Sequence, residues 1–281
     1  MESTEPRRAA AVLKRFFRTP KGLFLVVLVL LVALATGHEG FGRVVPGLLG
    51  AVAVAVLIDV PLLRRREVAW VFPDGAICTA LLVAMILSPM QPWYVATITS
   101  AAAVLSKYVF RIRTANVFNP AALALVATFY PFGTAQSWWG ALPEIGPVGL
   151  VAVFATGLFI AARVNKLPLI VAFLLTYFLL FTLTAFIGDP GHVAEIFREP
   201  DVNAALFFAF FMLSDPPTSP AKQQDQIVYA VIVAVASYAV FEIVGGAYFL
   251  LAGVLVANVW EAWRRVSARN PRRRRRAVTA A

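Results

Sequence analysis

Residues 73–92 read PDGAICTALLVAMILSPMQP, and residues 200–220 read PDVNAALFFAFFMLSDPPTSP. Each is a short apolar segment opened by Pro-Asp and closed by a Ser/Pro turn. At an offset of 127 residues Pro73-Asp74 falls on Pro200-Asp201, Met85 on Met212 and Pro89 on Pro216. Short, Pro-interrupted apolar segments at matching positions of two halves are the sequence mark of a broken-helix binding site near a membrane midplane. Working outward, ten apolar segments follow, at roughly 23–37, 44–63, 75–88, 93–110, 118–131, 147–162, 167–187, 203–213, 226–244 and 247–263. They lack the strict alternation of barrel strands, and in lipid only helices or closed barrels satisfy the backbone. The expected fold is an all-α polytopic membrane protein of about ten transmembrane helices in an inverted five-plus-five repeat, both termini cytoplasmic.

Composition agrees. Of 281 residues 60% are hydrophobic and 14% charged, with a mean hydropathy of +0.78, against about a quarter charged in soluble domains. The net charge of +10 lies in the two tails, so the Arg272–Arg276 run reads as a topology anchor meeting anionic lipid, not a nucleic-acid arm. With the N-terminus inside, all but Arg43 and Arg198 of the 25 Lys and Arg residues fall on the cytoplasmic side, among them Arg64, Arg65, Arg66, Lys107, Arg111, Arg113, Arg163, Lys166 and Lys222. That bias is what the positive-inside rule requires. The expected divisions are a basic cytoplasmic tail (1–22), a first transmembrane repeat (23–131), an extracytoplasmic loop (132–146), a second repeat (147–264) and an Arg-rich cytoplasmic tail (265–281), in a multi-pass protein of the cell (inner) membrane. The basic N-terminus, apolar run and Ala33-Leu34-Ala35 also resemble a secretory signal, but an uncleaved first span keeps the helix number even.

Much chemistry is excluded. The single cysteine, Cys78, rules out a disulfide framework, a four-cysteine zinc site and a self-contained iron–sulfur cluster. His38 and His192 fall in outside loops, leaving no bis-histidine haem site and no His relay in the membrane. No Gly-rich phosphate loop with Lys is present. What remains are polar groups at the ends of the short helices. Asn116 and Asn119 precede Pro120 at a spacing that would place two amides on one helical face, and an amide both donates and accepts, which suits the edge of a planar heterocycle. A helix cap followed by Pro explains Asn119 equally well. Asp215 and Thr218 lie in Ser214-Asp215-Pro216-Pro217-Thr218-Ser219-Pro220, where an aspartate is expensive unless solvated or paired. Asp74 opens the third helix, where capping alone would account for it. Asp59 and Glu242 read as solvated groups near span ends.

Asp74-Gly75 with its apolar helix, Lys107-Tyr108-Val109-Phe110, the NxxNPA run from Asn116 to Ala121, and Phe210-Phe211-Met212-Leu213-Ser214-Asp215-Pro216 followed by Thr218-Ser219-Pro220 together resemble the RnfD/NqrB family. These are membrane subunits of the Rnf electron-transport complex and the sodium-translocating NADH:quinone reductase. The resemblance covers about residues 70–262 in matching order. It implies ten helices in a urea-transporter-like inverted repeat and a flavin-binding subunit that relays electrons across the membrane between partner subunits, with possible ion translocation. By similarity, Asn116 and Asn119 match asparagines lining a non-covalent riboflavin in the quinone-reductase branch. The implied cofactor-contacting set is Asn116, Asn119, Pro120, Asp215, Thr218 and Asp74; no residue is assigned to catalysis and none to a metal. The family also attaches FMN to a threonine in Asp-Gly-x-Ser-Gly-Ala-Thr, between the fifth and sixth helices. That loop here reads PFGTAQSWWGALPEIGP, and neither Thr134 nor Ser137 restores the motif. A second departure is Arg111-Ile112-Arg113, where relatives tend to have glycines. The expected cofactor is therefore a flavin, riboflavin or FMN, held non-covalently, with other membrane and extracytoplasmic electron-transfer subunits as partners. Two further readings stay open: a channel or facilitator for a small polar solute on the same frame, and a cofactor-free scaffold for electron-transfer partners.

Overall fold

The structure, a computed structural model, describes residues 16, 19–66, 72–112 and 115–268. Arg113, the Arg272–Arg276 run and nearly all of the N-terminal tail lie outside the described residues. Helices dominate: α1 (Pro20–Glu39), α2 (Phe41–Arg66), α3 (Asp74–Ile86), α4 (Trp93–Val109), α5 (Pro120–Phe132), α6 (Pro147–Arg163), α7 (Leu167–Ile187), α8 (Asp201–Phe207, continued by a π-helical turn over Phe208–Leu213), α9 (Gln223–Val244) and α10 (Phe249–Ser267). These coincide with the ten apolar segments of the sequence. By length and composition α1, α2, α7 and α9 can each cross a membrane, while α3, α5, α6 and α8 are shorter apolar helices. The long helices turn apolar side chains outward, with Leu57 73% and Leu175 68% exposed. In water such a surface would aggregate; against lipid it is the expected solvent face. The chain is a polytopic helical membrane protein.

The helix ends follow from local chemistry. Thr19 caps α1, its hydroxyl accepting from Gly22 N at 3.0 Å, and Pro20 takes the first turn, where the missing N–H is no loss. Pro120 and Pro147 open α5 and α6 in the same way. Gly133 (φ 56°) and Gly245 (φ 65°) end α5 and α9 in the left-handed conformation that closes helices without a Cβ penalty.

The repeat extends beyond the two short helices. Pro20 and Pro147, like Asp74 and Asp201, open corresponding helices at the same 127-residue offset, and α3 and α8 end in step at Ile86 and Leu213. Packing repeats too: α1 lies on α3 as α6 lies on α8, α2 on α4 as α7 on α9, and α4 on α5 as α9 on α10. At the end of α3, Ile86 O accepts from Ser137 N (3.0 Å) and Trp138 N (3.2 Å), and Trp139 Nε1 donates to Ala84 O at 2.7 Å. The same loop meets the beginning of α8, where Asn203 Nδ2 donates to Ala141 O at 3.0 Å. Thus α3 runs toward this loop and α8 away from it, so the two short helices are antiparallel.

One sequence expectation is corrected. Asn116 and Asn119 do not share a helical start: Arg111–Ile112 (β1) and Ala115–Asn116 (β2) pair as a small antiparallel hairpin, Arg111 opposite Asn116, and α5 begins at Pro120. Pro120 disfavours helical backbone in the residue before it, and the helix waits for the proline. The connection over 132–146 carries short 3₁₀ turns at Trp139–Ala141 and Pro143–Ile145 that fold it into the bundle and leave Trp139 2% exposed.

Close helix contact demands glycine at one crossing. A Cβ on Gly157 of α6 would lie 2.3 Å from Phe210 Cγ on α8. Gly157→Ala is therefore expected to destabilise the bundle by about 1–3 kcal/mol, as overpacking does, and to lower the Tm in detergent by several degrees. Gly42→Ala, with nothing within 4 Å of the added carbon, serves as control; equal Tm values for the two variants would contradict the packing.

Candidate functional site

A cavity of about 830 Å³ opens where the N-termini of α3 and α5 face the C-terminal end of α8, roofed by the start of α1 and the ends of α2 and α4. Its size falls in the ~300–1,000 Å³ range of small-molecule sites. Asp74, Asn116, Asn119, Pro120 and Asp215 all line it. Thr218 stands just behind, donating its hydroxyl to Asp215 Oδ2 at 2.9 Å. Residues more than 140 positions apart in sequence, from both halves of the repeat, thus meet at one site.

Five charged or phenolic groups join them: Lys21, Asp59, Lys107, Tyr108 and Arg111. Asp59, 6% exposed in α2, accepts from Tyr108 OH at 2.6 Å, which corrects its reading as a solvated span-end residue. Lys107, expected as a loop base, sits in the last turn of α4 and donates Nζ to Gly75 O at 2.7 Å. Lys21 lies 3.7 Å from Asp74 Oδ1. The signal for Asp59 and Lys107 was an ionisable residue inside an apolar run, which by default marks a site; the topology rule, which counts loop bases, obscured it. Glu242 is solvated as expected, 3.4 Å from His192 Nε2.

The two asparagines differ. Asn119 is buried and is the cap of α5: its Oδ1 accepts from Ala122 N at 3.1 Å and its Nδ2 donates to Met212 O at 3.1 Å. Asn116, in β2, is half-buried on the cavity wall, and its amide has no hydrogen-bond partner among the described residues. They do not share a helical face, because neither is helical.

The wall carrying Asp215 is held from behind. Pro216, Pro217 and Pro220 have no N–H, so this turn cannot make ordinary secondary structure. Its carbonyls are captured by side chains instead: Pro217 O by Arg265 Nη1 (2.9 Å), Thr218 O by Asn258 Nδ2 (3.5 Å), Ser219 O by Arg265 Nη2 (3.2 Å) and Pro220 O by Lys166 Nζ. Glu261, 2% exposed, forks onto Arg264 and Arg265 at 2.7 Å each, and Arg264 reaches Asp225 at 2.6 Å. Asn258 also accepts from Asn119 N at 2.8 Å and donates to Tyr229 OH at 2.6 Å, tying the α5 wall to the α8 wall. Lys166, expected as a cytoplasmic loop base, is instead buried, and that burial lowers it to about 8 against the pull of Asp215 and Glu261. Burial likewise raises the Asp215 carboxyl, opposed by the Thr218 hydroxyl and Lys107.

At the opposite end the attachment loop looks different. Thr134 Oγ1 and Ser137 Oγ are both buried without a hydrogen-bond partner, and Gln136 pairs with Leu87 as an isolated bridge. Neither hydroxyl is presented for attachment of a bulky group. Among the described residues no group of three His, Cys, Asp or Glu could hold a metal ion.

A helical membrane protein with a charged cavity between two short antiparallel helices is the class these features define. The chain belongs to the NQR2, RnfD, RnfE family, whose model matches residues 10–143 and 137–263. It is similar to the RnfD component of the ion-translocating oxidoreductase complex of Erwinia tasmaniensis, 30% identical over 142 residues covering 49% of this chain and 40% of that protein. The same-named protein of Vibrio cholerae is 34% identical over 116 residues, 40% of this chain and 32% of the relative. That of Alcanivorax borkumensis aligns more widely, 24% identical over 263 residues, covering 72% of this chain and 77% of the relative. The first two alignments thus span well under half of those relatives' lengths.

Asn258→Ala would strip partners from Asn119 N and Tyr229 OH, both buried. Leaving such groups unsatisfied costs about 1–3 kcal/mol, so its Tm should fall well below that of Asn116→Ala. The reverse order would show that the cross-wall tie is dispensable.

Proposed function

We propose that this protein is a membrane subunit of an ion-translocating oxidoreductase complex that holds a flavin, riboflavin or FMN, non-covalently in the Asp74–Asp215 cavity and relays electrons between partner subunits. In this reading the ten apolar helices all span or enter the bilayer of the inner membrane as an inverted five-plus-five repeat. The cavity faces the cytoplasm, both termini lie on that side, and the basic tails meet anionic lipid. Membership of the family and the names of its relatives support the complex. The observation that carries the cofactor is the cavity itself: sized for a small molecule, walled by apolar groups, with the uncommitted amide of Asn116 on it.

The residues present fit such a group. Asn116 can donate to or accept from a heterocycle edge, Phe24, Leu82 and Phe211 supply apolar wall, and Lys107, Lys21 and the three aspartates supply charge. The bound flavin would contribute the redox chemistry; the protein contributes position, exclusion of bulk water and electrostatics. Asn119, Asn258 and the clamped turn keep the walls at fixed separation, which preorganisation requires. Thr134 and Ser137, buried and lacking the attachment motif around them, support a cofactor that is not tethered.

A solute channel would need a polar path through to the Trp139 end. Between α3 and α8 the space is taken by Met85, Phe207 and Trp139, each at most 2% exposed, so the geometry favours a blind binding cavity.

Detergent-purified protein is expected to show flavin absorbance that passes to the supernatant on acid precipitation. Flavin staying with the pellet would contradict non-covalent binding, and its absence from folded protein would contradict the cofactor. Asn116→Ala removes about one hydrogen bond, ~1 kcal/mol, and should weaken flavin retention several-fold with an unchanged Tm. Undiminished flavin in that variant would remove Asn116 from the site. Asn119→Ala is the poorer probe, because Asn119 caps a helix.

A further inference from the structure

Lys107 ends α4, where the dipole of its own helix favours a cation, but its ammonium is directed at the start of another helix. Its ammonium sits at the N-terminal turn of α3, the end at which the helix dipole disfavours a cation. The carbonyl it binds, Gly75 O, does not need it, since Thr79 Oγ1 already donates there at 2.8 Å. Gly75 O is the one hydrogen-bond acceptor Lys107 has among the described residues, and the remaining N–H groups of its ammonium border the cavity. The facing carboxylates, Asp59, Asp74 and Asp215, all lie beyond ion-pair distance from it, and two of them are engaged by hydroxyls of Tyr108 and Thr218. At the 127-residue offset, the other half of the repeat has Ala234, fully buried. A cation kept in one half only, reaching the N-terminal end of a facing helix and with donors to spare, is a local conflict of the kind that marks a functional group.

We propose that Lys107 sets the reduction potential of the heterocycle bound in this cavity, holding a positive charge against the negative charge that reduction creates. The inference rests on the flavin reading of the cavity. Uptake of two electrons and one proton by a neutral oxidised flavin leaves one negative charge on the ring system. A nearby fixed cation favours that product over the oxidised form, and raises the potential. Lys107 acts here by charge and not by chemistry: no bond to it forms or breaks.

The experiment is a redox titration of purified wild type, Lys107→Met and Lys107→Arg, with dithionite supplying the electrons and water the proton, alongside flavin content by acid release. Lys107→Met keeps the length of the chain and loses the charge. It is expected to retain flavin but to shift the reduced-to-oxidised ratio at fixed potential at least tenfold toward the oxidised form, which is about 30 mV for a two-electron couple. Lys107→Arg should stay close to wild type. If Lys107→Met does not hold flavin, Lys107→Gln, which keeps a donor for Gly75 O, takes its place in the titration. Wild-type protein without flavin would overturn the cofactor reading itself. Flavin-loaded Lys107→Met or Lys107→Gln with the wild-type potential would leave that reading intact and overturn the role of Lys107. Loss of flavin from both neutral variants, with Lys107→Arg loaded, would make the residue a binding group and also overturn it.

Discussion

Pro216, Pro217 and Pro220 deprive the turn after α8 of the N–H groups with which a chain normally closes its own hydrogen bonds. The carbonyls of the buried residues Thr218, Ser219 and Pro220 must still be satisfied, at about 1–3 kcal/mol for each one left bare. Thr218 N and Ser219 N close onto Asp215 O, and the later carbonyls take donors sent from elsewhere: Arg265 and Asn258 from α10, and Lys166 from the connection between α6 and α7. Glu261 fixes both neighbouring arginines in place. A buried carboxylate shared by two guanidinium groups is poor evidence for net stability, but it is a rigid way to aim them. With carbonyls held from behind, the Asp215 side of the turn is presented to the cavity.

The same frame is used twice and furnished differently. Both short helices begin with Pro-Asp and both are 13 residues long counting the π-helical turn of α8. Where the C-terminus of α8 meets the starts of α3 and α5, polar side chains and open volume collect. Where the C-terminus of α3 meets the start of α8, the loop through Trp138 and Trp139 fills the corresponding space and ties itself to Ala84, Ile86 and Asn203. An inverted pair of half-sites becomes a single site because the chain plugs one of them. The π-helical turn over Phe208–Leu213 falls on the approach to the open site, a common place for such turns.

How far this was legible varies by element. The ten helices could be read from hydropathy because lipid permits few other structures, and the pairing of α3 with α8 could be read because proline and aspartate recur at one offset. Asp74, Asp215 and the asparagines were found because polar residues at the ends of short apolar helices are costly and conspicuous. The hairpin at 111–116 was missed, since two-residue strands have no periodicity to detect. Asp59 and Lys107 lay inside the apolar segments read from hydropathy, but each was counted with the span ends and loop bases because it stands within a few residues of its segment's end. The clamp was invisible for a different reason: Asn258, Arg265 and Lys166 reach the turn across 40 to 54 residues of sequence, and only the packing of α10 and of the connection between α6 and α7 brings them there. That Asn119 caps a helix and Asn116 does not is likewise a fact of the fold, although Asn-Pro gave a fair hint.

The central claim is that one cavity, between the starts of α3 and α5 and the end of α8, is where this protein holds its cofactor. The most direct test is a cryo-electron-microscopy map of the purified protein in lipid nanodiscs. The account predicts a planar, multi-ring density in that cavity, bordered by Asn116 and Lys107, with no continuity to any side chain. An empty cavity beside a flavin elsewhere, above all one joined to Thr134 or Ser137, would contradict it.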